Sequence, residues 1–104
     1  MAKVNIPTKQ QASILLGNVI RQLLEIYKAK NYDFQPFATN DSVKGIHWKY
    51  TLNKLTNHWG KMSNQMHEAI GAINLFCVNS GETYPFDNSL FVAGLMGKET
   101  EFKP

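Results

Sequence analysis

The chain has 104 residues, of which 43% are hydrophobic and 12% aromatic, and its formal net charge is +3. This length predicts one domain, residues 1–104, and this composition excludes a disordered chain. No run of residues reaches the roughly 20 apolar positions that a membrane-spanning helix needs, so we expect no membrane partner.

A first helix is predicted over about residues 8–30. Thr8 and Gln11 have the spacing of a capping box, in which each side chain bonds to the other residue's backbone N–H. The apolar residues that follow cover a wide face, which is typical of a bundle helix that contacts two neighbours.

Residues 31–42 lose the helical period, and Pro36 disfavours helix at the residue before it. This predicted linker is unusual in its three aromatic residues, Tyr32, Phe34 and Phe37. They either close the end of a helical hairpin or form an aromatic lip for a partner or ligand.

A long second helix is predicted over about residues 43–79, because apolar residues recur there at alternating spacings of four and three. This apolar ladder consists of Trp48, Leu52, Leu55, Trp59, Met62, Met66, Ala69, Ile73 and Phe76. Gly60 marks an alternative break, but the ladder keeps its phase through Gly60, and this favours one continuous helix. Trp48 and Trp59 are expected in the core, although two Trp and two Met on one seam are also typical of an adaptable protein interface.

The long helix would span roughly 55 Å and the first helix roughly 33 Å, so the first helix cannot cover the whole ladder. A short C-terminal helix, predicted over about residues 88–96, a second copy or another protein must cover the rest. The predicted fold is therefore all-α, a long helical hairpin with a short C-terminal helix, bundle-like and homo-oligomeric. The predicted oligomer seam is Leu52, Leu55, Met62, Met66 and Ile73.

No residue pattern indicates a catalytic, metal or cofactor site, so we expect a non-enzymatic protein without cofactors. His47 and His58 would lie roughly 16 Å apart along the predicted helix, too far to share one ion. Cys77 is the single cysteine and is predicted to be a small buried hydrophobe. One cysteine, and no apolar signal-peptide core at the start of the chain, predict a cytoplasmic location.

Charge is distributed unevenly: residues 1–61 hold nine Lys and Arg against three Asp and Glu, whereas residues 62–104 hold two against five. One flank of the ladder carries a basic row, His47, Thr51, Lys54, His58, Lys61 and Gln65. The row is either an ordinary solvated flank or a site for an acidic protein surface or for phosphates. With an ordinary pKa, His58 would add positive charge in mild acid and tighten such binding.

In its small size, its many asparagines and its lack of an active-site pattern, the chain is similar to the accessory and inhibitor proteins of phages and mobile elements. The similarity is one of general character and involves no motif, so it assigns no residue. The predicted function is a non-enzymatic helical protein-binding module, in its most concrete form an inhibitor of a host protein. The predicted binding residues are Lys54, His58, Lys61, Trp48, Trp59, Tyr32, Phe34 and Phe37.

The alternative function is a binder of nucleic acid or of a phosphorylated small ligand through the basic row. The single arginine, Arg21, gives little support to base-specific reading of nucleic acid.

Overall fold

The computed structural model describes residues 6–27 and 46–98. Four α-helices follow one another there: α1 (Lys9–Tyr27), α2 (Trp48–Thr56), α3 (Asn64–Ser80) and α4 (Asn88–Leu95). A 3-10 turn, Trp59–Lys61, lies between α2 and α3. No β-strand occurs in these two ranges, so the prediction of a mostly helical protein is confirmed.

The predicted capping box begins α1. The backbone N–H of Thr8 donates to Gln11 Oε1 at 3.0 Å, and the backbone N–H of Gln11 donates to Thr8 Oγ1 at 3.1 Å. These two bonds satisfy N–H groups that have no partner within the first turn of a helix. The described part of α1 ends at Tyr27, so the predicted end near residue 30 lies outside the described residues.

The prediction of one continuous helix over 43–79 is wrong at its centre. α2 ends at Thr56, and α3 begins after Ser63, whose hydroxyl caps the new helix by accepting from the N–H of Met66 at 3.2 Å. Met62, between the 3-10 turn and Ser63, is extended at φ −94° and ψ 144°. A glycine within the turn and a capping serine after it favour this break over helix continuation.

The apolar residues of the ladder keep the same sequence spacing on both sides of the break, and the number of residues in the break explains why. The connecting segment 57–63 is seven residues long, which is one heptad, so the pattern resumes at the same position after it. Leu55 before the break and Met66 after it are both buried, at 0% and 3% exposure. An unbroken apolar period therefore does not require an unbroken helix.

The core lies along α1, which packs against both α3 and α4, while α2 packs against α3. Leu16, Ile20 and Leu23 of α1 are fully buried, and they belong to one core cluster with Leu55 of α2 and Ile73 of α3. Every residue of the predicted oligomer seam is buried within this single chain. The apolar overhang on which the self-association argument depended is therefore absent from the described residues.

α4 crosses α1 at a close contact between two glycines, Gly17 and Gly94. A Cβ added at Gly17 would lie 2.7 Å from the backbone nitrogen of Leu95, and one added at Gly94 would lie 3.1 Å from the Cα of Gly17. Both are closer than ordinary van der Waals contact, so the two backbones leave no room for a side chain. The short C-terminal helix thus covers α1 and not the end of a long hairpin.

Polar groups fix the same crossing at its start. The N–H of Asp87 donates to Ser13 Oγ at 2.8 Å, and that hydroxyl donates to the carbonyl of Lys9 at 2.7 Å. The Asp87 carboxylate caps α4 by accepting from the N–H of Leu90 at 3.1 Å. Gly97, at φ +108°, lies just beyond the end of α4, as the sequence predicts.

No helix in the described ranges is both long and apolar enough to cross a membrane.

Candidate binding surface

The exposed side of α2 and the 3-10 turn combines lysines with aromatic residues. We call Lys49, Tyr50, Lys54, Trp59 and Lys61 the α2 surface. Tyr50 is 47% exposed and Trp59 is 41% exposed, although both are large hydrophobic residues. Residues 46–67 include no Asp or Glu, so no carboxylate within this segment offsets the three lysines.

Trp59 is held on the surface by His67 of α3. The two rings stack with centroids 4.1 Å apart and planes 9° apart. A 2.9 Å hydrogen bond joins His67 Nε2 to the Trp59 carbonyl, and because a carbonyl only accepts, Nε2 carries the hydrogen. One face of the indole is therefore covered and positioned while the ring stays partly exposed. The expected core position of Trp59 is wrong.

Trp48 has a different environment from Trp59. It is half-buried and packs against the hydrophobic core, as expected from the ladder. The Lys49 ammonium lies 5.7 Å from the centroid of the Trp48 ring, a distance at which a cation–π attraction is significant. The Lys54 ammonium lies at the same distance, 5.7 Å, from the Tyr50 ring. The lysines of α2 are thus arranged around its aromatic rings.

The predicted basic row does not form as one flank. Thr51 is fully buried, and its hydroxyl donates to the carbonyl of His47 at 2.8 Å. His47 caps α2, with Nδ1 accepting from the N–H of Tyr50 at 3.3 Å, and its ring meets Tyr84 edge-on at 5.6 Å. Both residues stabilise the fold. The break after Thr56 separates Lys54 from Lys61, which lie on α2 and on the 3-10 turn.

His58 is half-buried between α2 and the 3-10 turn. Burial lowers the pKa of His58, and the nearby charge of Lys54 lowers it further. The expectation that His58 titrates with an ordinary pKa is therefore wrong. Mild acid adds less charge at this position than an ordinary histidine would add.

A cleft of about 590 Å³ opens beside the 3-10 turn, between it and the C-terminal half of α1. Its apolar lining comes from Ile26, Met62 and Met66, and its charged lining from Glu25 and Lys61. Glu25 also pairs with Arg21 at 3.2 Å. The cleft is suited to an apolar side chain that contacts Ile26, with Lys61 next to it.

Other predicted site residues fall outside this surface. Tyr32, Phe34 and Phe37 lie outside the described residues, so their role stays a prediction. Cys77 is fully buried, and burial raises the pKa of its thiol to about 12, which agrees with the predicted small hydrophobe. Within 6–27 and 46–98, no group of three His, Cys, Asp or Glu residues is placed to hold a metal ion.

Comparison of the chain with protein-family models, with curated proteins and with solved structures gives no match.

Two members of the α2 surface, Lys49 and Tyr50, are not among the predicted binding residues, and neither is His67, whose ring supports Trp59. Tyr50 lies off the ladder and off the basic row, and His67 falls on another side of a continuous helix. The sequence does contain one signal for this surface: residues 46–67 include no Asp or Glu, which marks the whole segment as basic.

Proposed function

We propose that this chain is a non-enzymatic protein-binding module whose α2 surface engages an acidic surface on another protein. The partner contacts Tyr50 and Trp59 at the centre, and the lysines around them pair with its carboxylates. Exposed Trp and Tyr residues are enriched among the side chains that carry most binding energy at protein interfaces.

The exposed and stacked Trp59 is the observation that carries this proposal. An indole side chain buries a large area when it is covered, so leaving it 41% exposed forgoes stabilisation within the chain. The stack with His67 restricts the indole before any partner arrives, and His67 Nε2, which donates to the Trp59 carbonyl, holds the imidazole and the Trp59 backbone together. A restricted ring loses less conformational entropy on binding, and this favours affinity.

The cleft beside the turn supports the same reading. An apolar side chain of the partner enters between Ile26 and Met62, and Lys61 attracts a neighbouring carboxylate. Gly60 also lines this cleft, and a Cβ added to it would meet no atom within 4 Å. A larger residue at this position therefore obstructs the cleft without clashing with the fold.

The most concrete form of this proposal is a cytoplasmic inhibitor of a host protein, of the kind that phages and mobile elements encode. A chain of 11.8 kDa is large enough to cover an active site or an assembly surface on its target. Inhibition then needs binding alone, without chemistry by this chain.

The binding experiment uses matched charge variants. The chain is used to capture partners from a candidate host, and the captured protein is then purified and titrated by calorimetry. Lys54→Glu with Lys61→Glu should weaken binding by more than tenfold. The control Lys9→Glu with Lys98→Glu makes the same charge change on two lysines outside the α2 surface and should leave the affinity unchanged. Equal losses in both variants would contradict the proposed surface.

The cleft is tested by a pair of glycine variants. Gly60→Leu should weaken binding because the new side chain occupies the mouth of the cleft. The matched control Gly60→Ala adds only a Cβ, which meets no atom within 4 Å, and should leave binding unchanged. If Gly60→Leu binds the partner as the wild type does, the cleft takes no part in recognition.

The second candidate is a binder of single-stranded nucleic acid or of a phosphorylated small ligand. The same observation favours it, since lysines next to exposed aromatic rings provide charge for phosphates and faces for base stacking. The dependence of the binding affinity on salt concentration distinguishes the two candidate functions. Three phosphate contacts on a single strand give a slope of about −2 in log affinity against log salt, at about −0.7 per contact. An oligonucleotide titration that shows this slope and is lost in Lys54→Glu with Lys61→Glu would favour the second candidate.

A further inference from the structure

The outward side of α3 presents apolar residues that nothing in the described chain covers. We call Glu68, Gly71, Leu75 and Val78 the α3 face; their spacings of three and four place them on one side of the helix. Leu75 is 40% exposed and Val78 is 61% exposed. Glu68 is exposed at one end of this face, and exposed Glu82 follows the other end of the helix.

Gly71 leaves a gap in the middle of this face. A Cβ added there would meet no atom within 4 Å, in contrast to the crowded Gly17 and Gly94. Glycine in a helix interior is less stable than alanine by about 1 kcal/mol, and no contact within the described chain offsets this cost at Gly71. The gap allows a helix from outside the chain to approach the α3 backbone closely.

The charge on this side of the molecule is opposite to that of the α2 surface. Residues 62–97 contain no Lys or Arg, and their carboxylates are Glu68, Glu82 and Asp87. Residues 46–61 contain three Lys and no Asp or Glu. The segment 46–61 is therefore basic and carries exposed aromatic residues, whereas the segment 62–97 is acidic and carries exposed aliphatic residues, so the two segments are complementary in both respects.

We propose that the α3 face of one copy docks on the α2 surface of a second copy. Tyr50 of each chain covers Leu75 and Val78 of its partner copy, while Lys54 and Lys61 lie near Glu68 and Glu82. The pairing closes as a symmetric dimer if both surfaces are used at once, and it extends into a chain of copies if they are not. It replaces the predicted seam, whose residues are buried, with residues that are exposed.

This self-association does not depend on the proposed function, although it uses the same α2 surface. A second copy and an acidic protein partner therefore compete for that surface. Removing the charges of the α3 face prevents self-association and leaves the α2 surface available, so partner binding should persist in such a variant. Failure of one proposal is in this way distinguishable from failure of the other.

Sedimentation equilibrium from micromolar to millimolar concentration tests the inference. The wild-type average mass should rise above the 11.8 kDa of one chain as concentration increases, and added salt should lower it. Lys54→Glu with Lys61→Glu should remain monomeric, and so should Glu68→Lys with Glu82→Lys. An equimolar mixture of these two variants should regain the higher mass, because the reversed charges again face opposite charges. The control Lys9→Glu with Lys98→Glu should associate as the wild type does.

Circular dichroism of each variant keeps the test independent of folding, and a variant that loses helix is replaced by its neutral counterpart, Lys54→Gln with Lys61→Gln or Glu68→Gln with Glu82→Gln. A wild-type chain that stays monomeric to millimolar concentration would overturn the inference. Association that survives either charge reversal, or a mixture that does not regain mass, would overturn it equally.

Discussion

The crossing of α1 and α4 predicts opposite effects for the same substitution at two glycines. Gly17 faces the backbone of α4, whereas Gly71 faces open space. Gly71→Ala should stabilise the protein by about 1 kcal/mol, because alanine favours a helix interior over glycine by that amount. Gly17→Ala gains the same helical preference but forces its Cβ against the backbone near Leu95, 2.7 Å away.

The magnitude follows from the cost of overpacking. Forcing an extra methyl group into a well-packed contact typically costs about 1–3 kcal/mol. Since the propensity gain is common to both variants, the free energies of unfolding should differ by about 1–3 kcal/mol between Gly17→Ala and Gly71→Ala. Each kcal/mol corresponds to a change of about 4–8 °C in Tm for a domain near this size. Gly94→Ala should fall on the destabilised side with Gly17→Ala.

Urea denaturation followed by circular dichroism measures this difference directly. Equal m-values among the variants would show that the change lies in stability and not in compactness. The reasoning is refuted if Gly17→Ala is as stable as Gly71→Ala, because α4 would then not cross α1 at backbone contact.

Four further results are expected. Thr8→Ala removes the acceptor for the Gln11 N–H and should lower the free energy of unfolding by about 1 kcal/mol in urea, and no change would contradict the capping box. Because the folded-state pKa of His58 is lowered, the free energy of unfolding measured in urea should be at its full value above the ordinary pKa of 6.5, and the contribution of His58 should be lost as pH falls through the folded-state pKa. Lys54→Ala removes the smaller of the two causes and should raise the pKa of His58 in an NMR titration, whereas an unchanged pKa would argue against their proximity. Cys77 should resist thiol reagents in the native protein and react after unfolding in urea, since burial raises its pKa to about 12.

The start of α1 was predicted correctly from a local signal. The capping box joins Thr8 and Gln11, which lie three residues apart in the chain, and both of its hydrogen bonds form. Such interactions can be inferred from sequence because their geometry is fixed by the helix itself.

The break between α2 and α3 was missed for a physical reason. Residues 57–63 return the ladder to its original phase, so the period carries no trace of the break. The contact between Gly17 and Gly94 joins residues far apart in the chain, and no local pattern reports it. The error at the break produced the excess apolar surface from which the buried oligomer seam was inferred.

The candidate site was predicted in part. Lys54, Lys61 and Trp59 were identified from the sequence, and the structure places them on α2 and the turn. The positions of Tyr50 and His67 in the site became apparent only from the structure. For His67 the reason is that the 3-10 turn brings its ring onto that of Trp59. Thr51, which was predicted on the basic row, is buried, and its hydroxyl can be buried at little cost because it donates to the carbonyl of His47 one turn earlier.

An NMR titration with the captured protein partner tests the α2 surface most directly, and it follows the two tryptophan indole N–H signals together with the backbone amide signals. The α2 surface predicts a large shift for the Trp59 indole, smaller amide shifts for the other residues of that surface, and little change for the indole of the core-packed Trp48. If Trp59 does not shift while Tyr32, Phe34 and Phe37 do, the α2 surface is not the binding site and the aromatic segment 31–42 takes its place.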